Sequence, residues 1–281
     1  MPHLRPAENG ILRNKFTFSP EDAFTSFMIL GIASIRDCVF SSNEQRREFD
    51  AIYDIMLQNL IEAKLAKDEY LAIVEDYNKR INDPTGFYYK NKTIYANEII
   101  DDELNLLFKD FFIRGSMAIK AILKLAKFFD FKKLSFIFGN DDDFEKSSNQ
   151  FSASNPYAYA REFMEHIRNH RKSWCSTFIL FRDKIEHEGY KLPPINFLID
   201  ESDKIVAVFP KTKDGREVDE LLKLIWENLI NFCEDTLMFL FASKLASDKR
   251  IVFIPPGKRD LHHPIKYQVE LVSLPGVRLS C

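Results

Sequence analysis

The sequence predicts a mainly α-helical fold: an antiparallel helical bundle carrying a small β-hairpin and short C-terminal strands. Apolar residues recur at the 3.6-residue helical period through several long segments. Glycine is scarce, at 9 of 281 residues, while phenylalanine is abundant, at 26. Many of those rings fall at helical spacing, which points to core packing before any aromatic binding platform.

The first helix is expected at about 20–39, in "SPEDAFTSFMILGIASIRDCVF". Ser19 is its candidate N-cap, Pro20 its first residue, and two acids complement the helix dipole in the first turn. The second runs through "SNEQRREFDAIYDIMLQNLIEAKLAKDEYLAIVEDYNKRI", with Ser42 or Asn43 as cap and Phe49, Ile52, Tyr53, Met56, Leu57, Leu60 and Ile61 in period. "NDPTG" at 82–86 breaks the pattern. A third helix is expected at about 97–130, where Gly115 permits close packing or a kink.

"GNDDDFEKSSNQFSASNP" at 139–156 reads as a polar loop. A fourth helix follows from about Pro156 to Glu186. "INFLID" and "KIVAVFP", separated by "ESD", predict a β-hairpin at about 195–209. "REVDELLKLIWENLINFCEDTLMFLFASKLA" is the fifth helix, and "RIVFIPP" and "IKYQVELV" suggest two short strands. There is neither an internal repeat nor a clean linker. The expectation is one domain over 1–281, with core helices at about 20–247 and a β appendage.

Charge excludes a global pull toward nucleic acid. With 39 basic and 42 acidic residues the net is −3, so any RNA site must be a local basic pocket. Cys38, Cys175, Cys233 and Cys281 form no C-x-x-C pair, which fits a reduced, cytoplasmic setting. The N-terminus lacks a signal-peptide core, and "FMILGIA" is far short of the ~20 residues that span a bilayer. No Walker loop, dinucleotide fingerprint, serine-hydrolase elbow or zinc-protease motif is present.

"FRDKIEHEGYKLP", residues 181–193, carries the strongest chemical pattern. Arg182 is followed by Asp183, and His187 stands five positions after the arginine, before a stop at Gly189 and Pro193-Pro194. Two readings are open. A histidine in a last helical turn complements the dipole. Alternatively, arginine and histidine form half of a phosphate-handling site. Spacing alone decides nothing, because Arg161 and His166 repeat it near the start of the same helix, where solvent-facing charges explain them.

"RDKIEH" resembles the signature of the HEPN superfamily: an arginine, a polar residue, and a histidine after four to six intervening residues, near the end of a late helix in an all-α bundle. Arg182, Asp183 and His187 occupy those positions. The resemblance implies a homodimeric, metal-independent endoribonuclease without a cofactor, in a toxin or defence role. Arg182 would stabilise the scissile phosphate, His187 would move protons as the 2′-OH attacks, and Asp183 would orient them. Some members pair with a nucleotidyltransferase antitoxin that modifies a Tyr two residues after the histidine. Here Tyr190 stands three residues after it.

Arg168, His170, Arg171 and Lys172 make a basic cluster that either tracks an RNA backbone or forms a solvated face. Tyr190 either stacks a base or packs in the core. "DLHHP" offers Asp260, His262 and His263 without a third spaced ligand, and "GNDDDFEK" lacks calcium-loop spacing, so no metal site is expected. Two other classes remain: a non-catalytic helical binding or scaffold protein, and a small-molecule-binding bundle using its Phe-rich interior.

Overall fold

A computed structural model describes residues 32–81, 83, 87–91, 93–96, 98–129, 135–154, 158–212, 215–246, 248–258 and 266–271. The expected helical start at 20–31 and the "DLHHP" segment lie outside them. The fold is mainly α, with short antiparallel strand pairs. Among the described residues no helix is long and apolar enough to cross a membrane.

Two compact units are described in turn, residues 1–46 with 244–281, and residues 47–243. Within the first lie α1 (Ile32–Val39) and the first turn of α2 (Asn43–Arg80). It also holds a hairpin of β5 (Lys249–Phe253) and β6 (Tyr267–Leu271), paired from Lys249↔Leu271 to Phe253↔Tyr267. These are the two C-terminal strands the sequence predicts.

The second unit is the bundle. Along α2, Phe49, Tyr53, Met56, Leu60 and Ala63 are buried at alternating four- and three-residue steps, and Tyr70 and Tyr77 continue the same stripe at seven-residue intervals, the seam of a helix packed along its length. Two hydrogen-bonded strands follow, β1 (Phe87–Lys90) and β2 (Thr93–Ala96). The sequence reading had only a break here. Asn91 takes the left-handed conformation at φ 54° that the tight turn requires.

Helix α3 (Asp101–Leu125) is the central element, ending in a 3₁₀ turn at Ala126–Phe129. Phe108, Phe111, Phe112, Ala118, Ile119, Ile122 and Leu125 are buried on it. Gly115 serves close packing: a β-carbon there would lie 3.1 Å from the Phe178 ring and 3.4 Å from Leu229. The glycine therefore sets how closely the helices that carry Phe178 and Leu229 approach α3.

The segment read as a polar loop is instead helix α4 (Asp141–Ser154). Asn140 caps it: Oδ1 accepts the Asp143 N–H at 2.8 Å and Nδ2 donates to the Asp143 carboxylate at 2.8 Å. Three aspartates fill the first turn, and Phe144, Ser148 and Phe151 form a buried stripe. The polarity that suggested a loop is the solvent face of this helix.

The fourth predicted helix is one continuous rod in three parts: α5 (Ala158–His170), a π turn (Arg171–Cys175) and α6 (Ser176–His187). In the π turn the Arg171 carbonyl accepts from both the backbone N–H and the hydroxyl of Ser176. The predicted hairpin is β3 (Asn196–Ile199) with β4 (Ile205–Val208). Asp200 Oδ1 accepts the Ser202 and Lys204 N–H groups to hold its turn. Helix α7 (Val218–Ala242) closes the bundle.

Candidate functional site

Helix α6 ends where the sequence placed its stop. Gly189 lies in the left-handed region at φ 63°, and the Lys184 carbonyl accepts from the Glu188 and Tyr190 N–H groups. The departing chain is stitched to the start of α3. Asn105 Oδ1 accepts the Leu192 N–H at 2.6 Å and Asp101 Oδ1 the Ile195 N–H at 2.7 Å. The motif therefore sits on a helix end whose direction is fixed from both sides.

Arg182 is largely enclosed, with a side chain 13% exposed. Its Nη1 donates to Asp183 Oδ1 at 2.5 Å, its Nε lies 3.0 Å from Glu186 Oε2, and its guanidinium stands 5.4 Å above the Phe138 ring. The Glu186 contact is an ion pair without hydrogen-bond alignment, so Nε is a buried donor lacking a hydrogen-bond acceptor. His187, the last residue of α6, is exposed. Asp183 holds the arginine through the Nη1 bond. No contact joins Arg182 to His187 among the described residues, and residues five apart on a regular helix point about 140° apart.

Three of the four residues expected to contact RNA have partners within the fold. Arg171 is buried at 6% exposure. Its guanidinium donates to the carbonyls of Ile137 and Gly139 and to Asp141 Oδ1, over the Phe144 ring. It clasps the segment that begins α4 and has no surface from which to reach a phosphate. Arg168 Nη2 lies 2.9 Å from Ser148 Oγ, 3.1 Å from Asn149 Oδ1 and 3.4 Å from Glu145 Oε2, tying α5 to α4. Lys172 is exposed. Tyr190 packs against Phe108 and Phe181, and burial pushes its hydroxyl pKa up.

A second polar group lies between α5 and α7. His166 and His170, one turn apart, have ring centroids 4.6 Å apart. The His166 ring stacks on Phe232 at an interplanar angle of 5°, and its Nε2 lies 3.4 Å from Thr236 Oγ1. Trp174 donates its indole N–H to His170 Nδ1 at 2.7 Å. Asp235 brings a carboxylate oxygen to the same place, and its ligating atom and those of the two histidines all lie within 4.8 Å of one another. Burial, then the neighbouring His170, holds the His166 pKa down to about 4, against a smaller upward pull from Asp235.

Sequence reasoning assigned His166 to a solvent-facing surface and His170 to a basic cluster. The structure turns both half-inward. The signal was present: Phe163, His166, Ile167, His170 and Trp174 follow one helical stripe at three- and four-residue steps. Comparison with known proteins leaves the chain by itself: it matches no family model, no curated protein and no solved structure.

Proposed function

We propose that this protein is a HEPN-type, metal-independent endoribonuclease that works as a homodimer through the exposed face of α6. One observation carries the reading. Leu180 is 52% exposed and stands seven residues before the exposed His187, so the two share one face of α6. A partner copy covering Leu180 would bring a second His187 to the same surface. Arg182, two residues from Leu180 and 13% exposed, lies on the opposite side of α6 and would have to swing toward that face to meet a phosphate there.

Each group suits the chemistry. The exposed imidazole of His187 can both accept and donate a proton. A guanidinium held by Asp183 presents Nη2, which has no partner among the described residues, to a phosphate oxygen. Release of Glu186 would open the Nε edge as well. RNA is the substrate of this reading, and a toxin or defence role with a nucleotidyltransferase partner its biological extension. A cytoplasmic location belongs to the same proposal.

A second reading, a non-catalytic helical binding module, draws on the same arginine. Two carboxylates already balance Arg182, and Glu186 and Glu188 flank His187, where they repel an approaching phosphate. Incubation of mixed labelled RNA in EDTA separates the two. Cleavage leaving 2′,3′-cyclic ends, abolished in folded Arg182→Ala and His187→Ala and in a monomeric Leu180→Glu, supports the ribonuclease. Absence of cleavage by a folded dimeric wild type would leave the binding module.

A further inference from the structure

From the cluster between α5 and α7 we infer a binding site for a zinc-class divalent transition metal, with His166, His170 and Asp235 as its protein ligands. The inference is independent of the ribonuclease reading, whose residues lie at the other end of the α5–α6 rod.

Two histidines one turn apart project from one face of α5, the arrangement by which a helix offers a pair of imidazoles to one ion. The carboxylate comes from the neighbouring helix α7, so the ion would bridge two helices. Tetrahedral zinc with bonds of about 2.0–2.1 Å sets its ligand atoms about 3.4 Å apart. The three atoms here lie within 4.8 Å, so small side-chain rotations close the site. Two nitrogens and one oxygen form a borderline donor set that suits zinc, cobalt or nickel and disfavours magnesium and calcium, which take oxygen shells. Three protein ligands leave a fourth position for water or a bound anion. Thr236 Oγ1, 3.4 Å from His166 Nε2, stands where an outer group orients a ligating ring.

Trp174 makes the site conditional. An indole nitrogen only donates, so His170 Nδ1 is a lone pair and the neutral ring's proton is on Nε2. Metal bound at Nε2 moves that proton to Nδ1, facing the indole N–H. Metal bound at Nδ1 takes the lone pair itself. Both routes end the Trp174 hydrogen bond, so occupancy requires release of the indole. Trp174 lies in the π turn, an irregularity of the kind that recurs at functional sites in helices. The indole is thus a competitor for the metal and a reporter of its binding.

The test titrates chelator-stripped full-length protein with Co²⁺ and Zn²⁺ at neutral pH. One equivalent of cobalt should produce the visible bands of a tetrahedral site, bleached by zinc, with a change in tryptophan fluorescence. Asp235→Asn and His170→Gln should each weaken zinc binding at least tenfold, while His187→Ala leaves it unchanged. Trp174→Phe, which removes the competing donor, should tighten it. Wild-type protein that shows no tetrahedral cobalt bands overturns the inference without recourse to any variant. So does zinc affinity unaltered in folded Asp235→Asn and His170→Gln, which would place the ion on other histidines.

Discussion

Glu186 holds its Oε2 3.0 Å from Nε of Arg182, one helical turn away, on the flank of the guanidinium opposite the bond to Asp183. The arginine on which the proposed chemistry depends is thus partly occupied by its own helix. Replacing the carboxylate by an amide removes a competitor for phosphate without changing shape. Glu186→Gln is expected to lower the KM for RNA about tenfold, roughly one charge-assisted hydrogen bond. Steady-state cleavage in EDTA would check this, and an unchanged KM would count against Arg182 as the phosphate ligand.

Gly115 faces Phe178, which is fully buried between Phe112 and Trp174. The ring has nowhere to move. Gly115→Ala therefore sets a helix-propensity gain of about 1 kcal/mol against crowding of about 1–3 kcal/mol. The expected net is a loss of about 1 kcal/mol, with Gly115→Val worse. Urea denaturation measures both, and a stabilised alanine variant would show that the ring yields.

Arg171 satisfies two carbonyls and one carboxylate from a buried position. Arg171→Ala should cost about 3 kcal/mol, because it strands buried acceptors. Lysine should not rescue, since one ammonium cannot span the three acceptors as a planar fork does. Hydrogen exchange would show loss of protection concentrated in 135–154, ahead of global unfolding.

His166 predicts the acid limb of the stability curve of the metal-free protein. Its folded pKa is about 4, below the unfolded value of ~6.5. The unfolded chain therefore binds the extra proton first, and stability is lost as pH falls from about 6.5 toward 4. From pH 7 to pH 5 the loss from this group is about 2 kcal/mol. His166→Phe, measured by denaturation in EDTA, should flatten that limb.

The long helices were legible because burial writes a period into them. Phe49, Tyr53, Met56 and Leu60, or Phe108, Phe111 and Phe112, must repeat at three and four residues to face one core. The hairpin at 196–208 was legible from alternation around a turn. Helix α4 was not, because only Phe144 and Phe151 mark its buried face amid a polar composition, and its cap is a single Asn140 bond. The β1–β2 hairpin was hidden by the "NDPTG" break before it.

At the candidate sites the division has a physical basis. The sequence by itself determined that Arg182, Asp183 and His187 share a helix end, since an apolar run closed by Gly189 allows little else. It equally determined that His166 and His170 stand one turn apart. Which side of that rod faces solvent was decided only by tertiary structure. Closure of α7 over α5 half-buried the two histidines and supplied Asp235 and Thr236 from some seventy residues away. Docking of α4 in the same way converted Arg171 from a surface cation into a buried clasp. Local periodicity can place a side chain on a helix, but its charge state, partners and reach depend on what the rest of the chain packs against it.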